Sequence, residues 1–318
     1  MKVIRDGQGD SATTPSVVAI GVFDGVHRGH QAIITRAKIA AADRGVPSVV
    51  ITFDPHPASV LAPANAPLAI ESLERRLERF HELGVDIVRL VTFDEAASSE
   101  SAESFVRRLI HDELGAVHVV VGEDFRFGRD RYGDARRLSE WGEQLGFSVE
   151  ACGLIGTGER FSSTSVRRAV LEGRLDTAME ILGHPFGIIG EVIHGDARGG
   201  SELGFPTANI QTSVGQLLPT IGIYAGAALA HGKWYPAAIS LGRRPQFYEN
   251  GDTLLEAHLP GFSGDIYGEQ LQLVFFAWLR GEESYDSLEA LIEQISVDVA
   301  RTRELFQKIS QDGETLLT

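Results

Sequence analysis

Short apolar runs alternate with helix-patterned stretches along the first 147 residues. Residues 17–20, 49–53, 87–93 and 117–121 are dominated by Val, Ile, Leu and Phe, the pattern of parallel strands covered on both faces. Residues 30–44 place Ile33, Ile34, Ala37, Ala40 and Ala41 on one side of a helix. Residues 73–83 and 104–114 repeat that period. Strands and helices in alternation predict a doubly wound α/β domain. Its ligands are expected at the carboxyl ends of the strands. Two glycine-containing segments, 21–30 and 122–128, each follow such an end.

The texture changes at His184-Pro185. Two short helices are expected over 162–183, and then β-rich runs at 187–194, 223–229, 234–241, 254–259 and 270–279. Gly199-Gly200, Asn250-Gly251 and Ser263-Gly264-Asp265 punctuate these runs, a spacing that predicts a small antiparallel barrel or sandwich. A helix over 287–309 follows. The expected domains are 1–184 and 185–318. The Ala/Pro-rich stretch 61–67 reads as a flexible loop over the mouth of a site.

Composition narrows the function. A chain of 318 residues has room for two domains. Its formal charge of -15 argues against a general binder of nucleic acid or anionic membrane, while leaving room for local basic pockets. Cys152 is the sole cysteine, which excludes an intrachain disulfide and a three- or four-cysteine zinc site. The start lacks a signal-peptide core, and no run approaches the roughly 18 apolar residues of a membrane span. A soluble cytoplasmic protein acting on small molecules is the expectation, with homo-oligomerisation left open.

Asp24-Gly25-Val26-His27-Arg28-Gly29-His30 joins the first strand to a helix. No Lys-Ser/Thr follows the glycines, so this is not a Walker loop. The arrangement suits nucleotidyl transfer, in which an in-line attack on an α-phosphate expels pyrophosphate. That reaction needs positioned groups and stabilisation of spread negative charge. Imidazole N–H groups donate to phosphate oxygens, and the glycines admit backbone N–H groups. His30, expected to begin the helix, adds the positive end of its dipole. Taken alone, the segment also fits a Gly-rich turn with surface histidines.

Three further segments carry candidate chemistry in the first domain. In Thr52-Phe-Asp-Pro-His-Pro57, His56 is held between prolines; it faces the same crevice or simply makes a rigid turn. In Val121-Gly-Glu-Asp-Phe-Arg-Phe-Gly128, Asp124 is a candidate for a ribose hydroxyl or a metal-bound water. Phe125 and Phe127 are candidates for covering a planar ring, or for the core. In Ser162-Ser-Thr-Ser-Val-Arg-Arg168, the hydroxyls of Ser163 and Thr164 with Arg167 suit a polyphosphate clamp, or ordinary capping. Arg168 points about 100° away around the helix.

In the second domain, a glycine-rich loop from His194 runs into a strand carrying Thr207 and Asn209 on one face. A hydroxyl and an amide oxygen there suit a Mg²⁺ bridging ATP phosphates, or form the polar side of a hairpin. In residues 254–259, Leu255, Ala257 and Leu259 share one face, and Glu256 and His258 the other. A carboxylate on a rigid strand can accept a proton from an attacking alcohol; an exposed edge-strand glutamate is the plainer reading. Asp265 and Tyr267 in the next turn are candidate supports for a lid.

Together these residues resemble the bifunctional bacterial riboflavin kinase/FAD synthetase family. The matching pieces run in family order: Gly21-Val-Phe-Asp-Gly-Val-His-Arg-Gly-His30, Thr52-Phe-Asp-Pro-His-Pro57, residues 121–128, Ser162-Ser-Thr-Ser-Val-Arg167, Leu203-Gly-Phe-Pro-Thr-Ala-Asn209, Leu255-Glu-Ala-His-Leu259 and Gly264-Asp-Ile-Tyr-Gly268. The resemblance implies a nucleotidyltransferase domain with a His-x-Gly-His motif and a six-stranded antiparallel barrel kinase with a terminal helix. It implies that ATP phosphorylates riboflavin to FMN, and that a second ATP adenylylates FMN to FAD, both with Mg²⁺. On this basis His27, His30 and Arg167 act on the ATP phosphates, and Glu256 is the general base on the riboflavin hydroxyl. Thr207 and Asn209 hold Mg²⁺. Gly21, Phe23, Asp24, Gly25, Gly29, His56, Asp124, Phe125, Ser163, Thr164, Gly204 and Pro206 line the ATP and flavin sites.

The chain departs from the family pattern in places. Asp124 stands where many relatives carry asparagine, and its added charge is expected to weaken or reorient FMN binding. Near Gly200 and Ser201, where many carry a basic residue, this chain has none, Arg198 standing upstream and the acidic Glu202 downstream. Gln246 stands where threonine is frequent. Phe125, Phe262 and Trp278 are candidates for stacking on the flavin. Two other readings remain at this level: a different adenylyl- or cytidylyltransferase with an unrelated second domain, and a flavin-binding regulator with inactive sites. The 203–209 segment and the Glu256 strand speak against the first, and the intact polar set against the second.

Overall fold

Six parallel strands build the first sheet of the computed structural model, which describes residues 1–7, 15–153, 156, 160–194, 204–243 and 253–311. In chain order this part runs β1 (Lys2–Arg5), β2 (Ser16–Ile20), α1 (Arg28–Arg44), β3 (Ser48–Asp54), α2 (Pro57–Leu61), α3 (Leu73–Glu82), β4 (Ile87–Thr92), α4 (Glu95–Ser99) and α5 (Ala102–Phe105). It continues with β5 (Ala116–Gly122), the short ribbon β6 (Arg126–Phe127) and β7 (Gly133–Asp134), α6 (Ala135–Leu145) and β8 (Ser148–Cys152). The sheet order is β1-β4-β3-β2-β5-β8.

β2 is buried at every residue because both faces of the sheet are covered. Val17 and Ala19 pack with Ile34 and Ala37 of α1 and Phe80 of α3. Val18 and Ile20 pack on the opposite face with Phe105, Leu109, Ile110 and Phe147. This alternation is the period of two that a strand imposes. β2 is flanked by β3 on one side and β5 on the other. The strand order therefore reverses there, and the crevice outside the carboxyl ends of β2 and β5 is the expected ligand position.

Several elements differ from the sequence expectation. β1 and β8 were not anticipated. They are edge strands, with only Ile4 buried in β1 and no residue buried in β8, so neither carries a continuous apolar run. The helix expected over 104–114 is α5 followed by a wider π-type coil, Val106–Glu113, which buries Val106, Leu109 and Ile110. The stretch 61–67 is not simply a loop: α2 ends at Leu61 and Pro63–Asn65 form a 3-10 turn, with prolines opening both. α1 begins at Arg28 with His27 as its N-cap, so His30 sits inside the first turn instead of opening it.

The second part comprises α7 (Ser163–Leu171), α8 (Leu175–Leu182), β9 (Phe186–Ile193), β10 (Thr207–Thr212), β11 (Gly222–Ala230), β12 (Lys233–Arg243), β13 (Thr253–His258), β14 (Gln270–Arg280) and α9 (Leu288–Gln311). The six strands close into an antiparallel barrel in the order β10-β13-β12-β11-β14-β9. Of the two architectures the spacing allowed, the chain adopts the barrel. Phe186, Tyr224 and Phe275 meet in its core at ring separations of 5.8 and 5.5 Å. At Gly226 a Cβ would fall 2.1 Å from the Val274 carbonyl oxygen, so only glycine lets β11 and β14 approach this closely. α8 packs on β9 and β14, and α9 on β11 and β12.

The chain divides into two compact units: Met1–Leu68 with Leu73–Ser163, and Ala69–Ser72 with Thr164–Thr318. In the second, Ala69 donates its N–H to the Gly215 carbonyl and accepts from Leu217 N–H, each at 2.8 Å. Among the described residues, no helix is long and apolar enough to cross a membrane.

Candidate functional site

In the first unit a cavity of about 700 Å³ opens at the carboxyl ends of the strands. Gly21, Asp24, His27, Gly29, His30, His56, Asp124, Arg160 and Ser163 form its polar wall, and Phe53, Leu61, Phe93, Phe105, Phe125 and Phe127 its apolar one. The turn after β2 is built for this position. Phe23, Gly25 and Val26 all have positive φ, at 54°, 80° and 33°. The Phe23 ring is buried and packs edge-on against His30 at 5.2 Å and Phe80 at 5.9 Å. Thr52 Oγ1 and Arg76 Nη1 both donate to the Val22 carbonyl, at 2.9 and 2.8 Å, and Ser163 Oγ donates to the Asp24 carbonyl at 2.9 Å.

The two histidines stack, with centroids 3.5 Å apart and planes 24° from parallel. His27 Nδ1 accepts the His30 backbone N–H at 3.4 Å. That acceptor role assigns the proton of neutral His27 to Nε2. A Cβ on Gly29 would lie 3.0 Å from the His27 ring, so glycine makes room for the stack. Burial, and then the field of Arg160, lower the His27 pKa from 6.5 to about 4, against a smaller opposing effect of Asp124. Burial, then His27 and Arg76, hold His30 well below the ordinary histidine value. Both rings are therefore neutral at pH 7, able to donate hydrogen bonds but carrying no charge.

Asp124 is ion-paired with Arg160. Phe127 is in the core, and Phe125 stacks on it at 5.1 Å while lining the cavity. His56 caps α2, its Nδ1 accepting from Ala58 N–H at 3.1 Å. Gly25 does not line the cavity. Thr164 and Arg167 lie in α7, within the second unit.

The barrel brings together the second predicted set. β10 and β13 pair with Thr207 opposite His258 and Asn209 opposite Glu256. On the other side of β13, Ser240 of β12 is opposite Glu256. Directly opposed residues share a face of a sheet. Asn209, Glu256 and Ser240 therefore form a polar row, and Leu255 and Ala257 point into the core. Thr207 Oγ1 and Glu256 Oε1 lie 3.5 Å apart, and the Pro206 carbonyl is 2.8 Å from His258 Nδ1. Gly204, with φ 82°, precedes this strand. A hydroxyl, an amide oxygen and a carboxylate are the donor set of a hard divalent cation that keeps most of its water.

Residues 10–165 match the family model for FAD synthetase, and residues 182–306 that for riboflavin kinase. A bifunctional riboflavin kinase/FMN adenylyltransferase of Pseudomonas fluorescens is 42% identical over 91% of this chain and 92% of its own length. The chain belongs to the bifunctional riboflavin kinase/FMN adenylyltransferase family. A member from Escherichia coli K12 is 37% identical over 96% of this chain and 98% of its own. A crystal structure described as a macrolide-efflux protein from Streptococcus pneumoniae superposes with a TM-score of 0.85 at 31% identity, covering 95% of this chain and 99% of that one.

Two residues near the histidine turn and its cavity escaped the sequence reading. Arg76 stands one turn before Phe80 on the buried face of α3 and is itself buried; a lone charge on an apolar stripe was the available signal. Arg160 had none, because only folding places it beside Asp124. Trp278 is exposed on β14, and Phe262 packs on Tyr235 and His231 at 5.2 and 5.5 Å. Arg198, Gly200, Ser201, Glu202, Leu203 and Gln246 lie outside the described residues.

Proposed function

We propose that the chain makes FMN and FAD, phosphorylating riboflavin with ATP in the barrel and joining AMP from a second ATP to FMN at the histidine cavity. The observation that carries this reading is the presence of both polar sets, His27/His30 at the strand-order reversal and Glu256/Thr207/Asn209 on one barrel face, in a chain 42% identical to a bifunctional relative over 91% of its length. We assign the two reactions to residues 1–184 and 185–318, close to the interval between the two family matches, 165 to 182.

In the kinase, Glu256 accepts the proton of the riboflavin 5′-hydroxyl as its oxygen attacks the γ-phosphorus and the bond to ADP breaks. Pairing on both sides fixes the Glu256 strand, so the carboxylate needs no reorganisation. Thr207 and Asn209 would hold Mg²⁺, which supplies neutralisation of phosphate charge. In the transferase, an FMN phosphate oxygen attacks the α-phosphorus of ATP and pyrophosphate leaves. His27 donates Nε2–H to the phosphate oxygens, and His30, stacked on it, lines the same cavity. Assignment of Thr164 and Arg167 to the pyrophosphate rests on their sequence motif. The whole describes a cytoplasmic enzyme of small molecules.

The test is a chromatographic assay of purified protein with riboflavin, ATP and Mg²⁺. FMN followed by FAD is expected. FMN alone sinks the transferase half. FAD from added FMN, without FMN from riboflavin, sinks the kinase half. Silence on both substrates favours a flavin-binding regulator.

A further inference from the structure

The cavity holds its histidines neutral, and its positive charge comes from Arg126, Arg131 and Arg160 in the lining. Arg160 lies on its wall with its field felt at His27. Its guanidinium is not simply presented to the cavity: Nη2 is bonded to Asp124 Oδ2. The carboxylate is itself placed by the backbone. β5 ends at Gly122, Phe125 N–H donates back to the Gly122 carbonyl at 3.0 Å, and a Cβ on Gly122 would stand 3.1 Å from Asp124 Oδ1. Gly122 leaves room for Asp124 to lie against the strand end in the cavity wall. The side chains of Arg160 and Asp124 are 45% and 55% exposed, so the pair adds little to stability. Its consequence falls on whatever anion enters.

We propose that Asp124 is an internal counter-anion that occupies Arg160 in the empty site, yields it to incoming phosphate, and reclaims it as pyrophosphate leaves. This rests on the adenylyl-transfer reading and makes Asp124 a positioning residue for that reaction. Each phosphate must displace a carboxylate already in contact with the guanidinium, which lowers anion affinity and speeds product release. Uncharged parts of the substrate are unaffected.

The experiment is calorimetric titration of the full-length protein with inorganic pyrophosphate, and separately with adenosine. Asp124→Asn is expected to bind pyrophosphate roughly tenfold tighter, with adenosine binding unchanged, a lower KM for ATP and slower release of pyrophosphate. Arg160→Gln weakens pyrophosphate binding, and in that background Asp124→Asn gains nothing. Asp124→Ser, with thermal melting of each variant, guards against misfolding. Unchanged or weaker pyrophosphate binding in both Asp124 variants overturns the proposal. So does an equal gain with and without Arg160, since Asp124 would then act only through its general field. FAD formation from FMN and ATP by the unsubstituted protein is measured alongside. Its failure removes the adenylyl-transfer reading, whereas its success with unresponsive Asp124 variants removes only this inference.

Discussion

At the scale of single residues, the histidine stack turns a familiar pattern into a specific protonation state. His27 titrates at 6.5 when unfolded and at about 4 when buried beside Arg160. Between those values the unfolded chain binds more protons than the folded one, so stability rises with pH across this window. It is lost as pH falls below 6.5, by about 3 kcal/mol at most for His27 once pH reaches 4. His30 and His118, lowered in the same direction, add to the slope. Melting temperatures measured from pH 7 to 5, above the carboxylate range, should fall for the native chain and fall less for His27→Gln. Equal slopes would sink this account. The His-x-Gly-His spacing was readable from the chain. The neutral rings were not, because burial and the Arg160 field exist only after folding.

At the scale of elements, strand periodicity placed Glu256 and His258 opposite Leu255 and Ala257, and β13 keeps that arrangement. A slip of one residue in its pairing would turn Glu256 into the core, so the buried Leu255 and Ala257 hold the register that the candidate base needs. α8 shows what periodicity leaves open. Its helical pattern was legible, but not its contacts: Leu175, Ala178, Ile181 and Leu182 are buried, and the helix packs on β9 and β14. A fragment 164–318 should therefore melt well above a fragment 185–318, since burying each such aliphatic side chain contributes about 1–3 kcal/mol. Both fragments lack Ala69–Ser72, so the comparison isolates α7 and α8. Equal melting would show that these helices do not support the barrel.

At the scale of the whole molecule, the two polar sets lie in separate compact units and should fail separately. Glu256→Gln is expected to lower FMN formation about 100-fold or more, leaving FAD synthesis from added FMN intact. His30→Ala should lower FAD formation roughly 100-fold and spare the kinase. Loss of both activities in either variant, measured by chromatography of the flavins, would contradict independent sites. The sequence alone determined the α/β sheet and, through the order of its motifs, the six-stranded barrel, and it singled out the candidate polar residues of each unit, because period, glycine placement and motif order are local properties. It did not determine the edge strands β1 and β8, whose half-exposed residues make no apolar run. It did not reveal Arg76 beneath the Val22 carbonyl or the Asp124–Arg160 pair. Those are contacts between residues far apart in the chain, settled by which surfaces can be buried together and which charges then find each other.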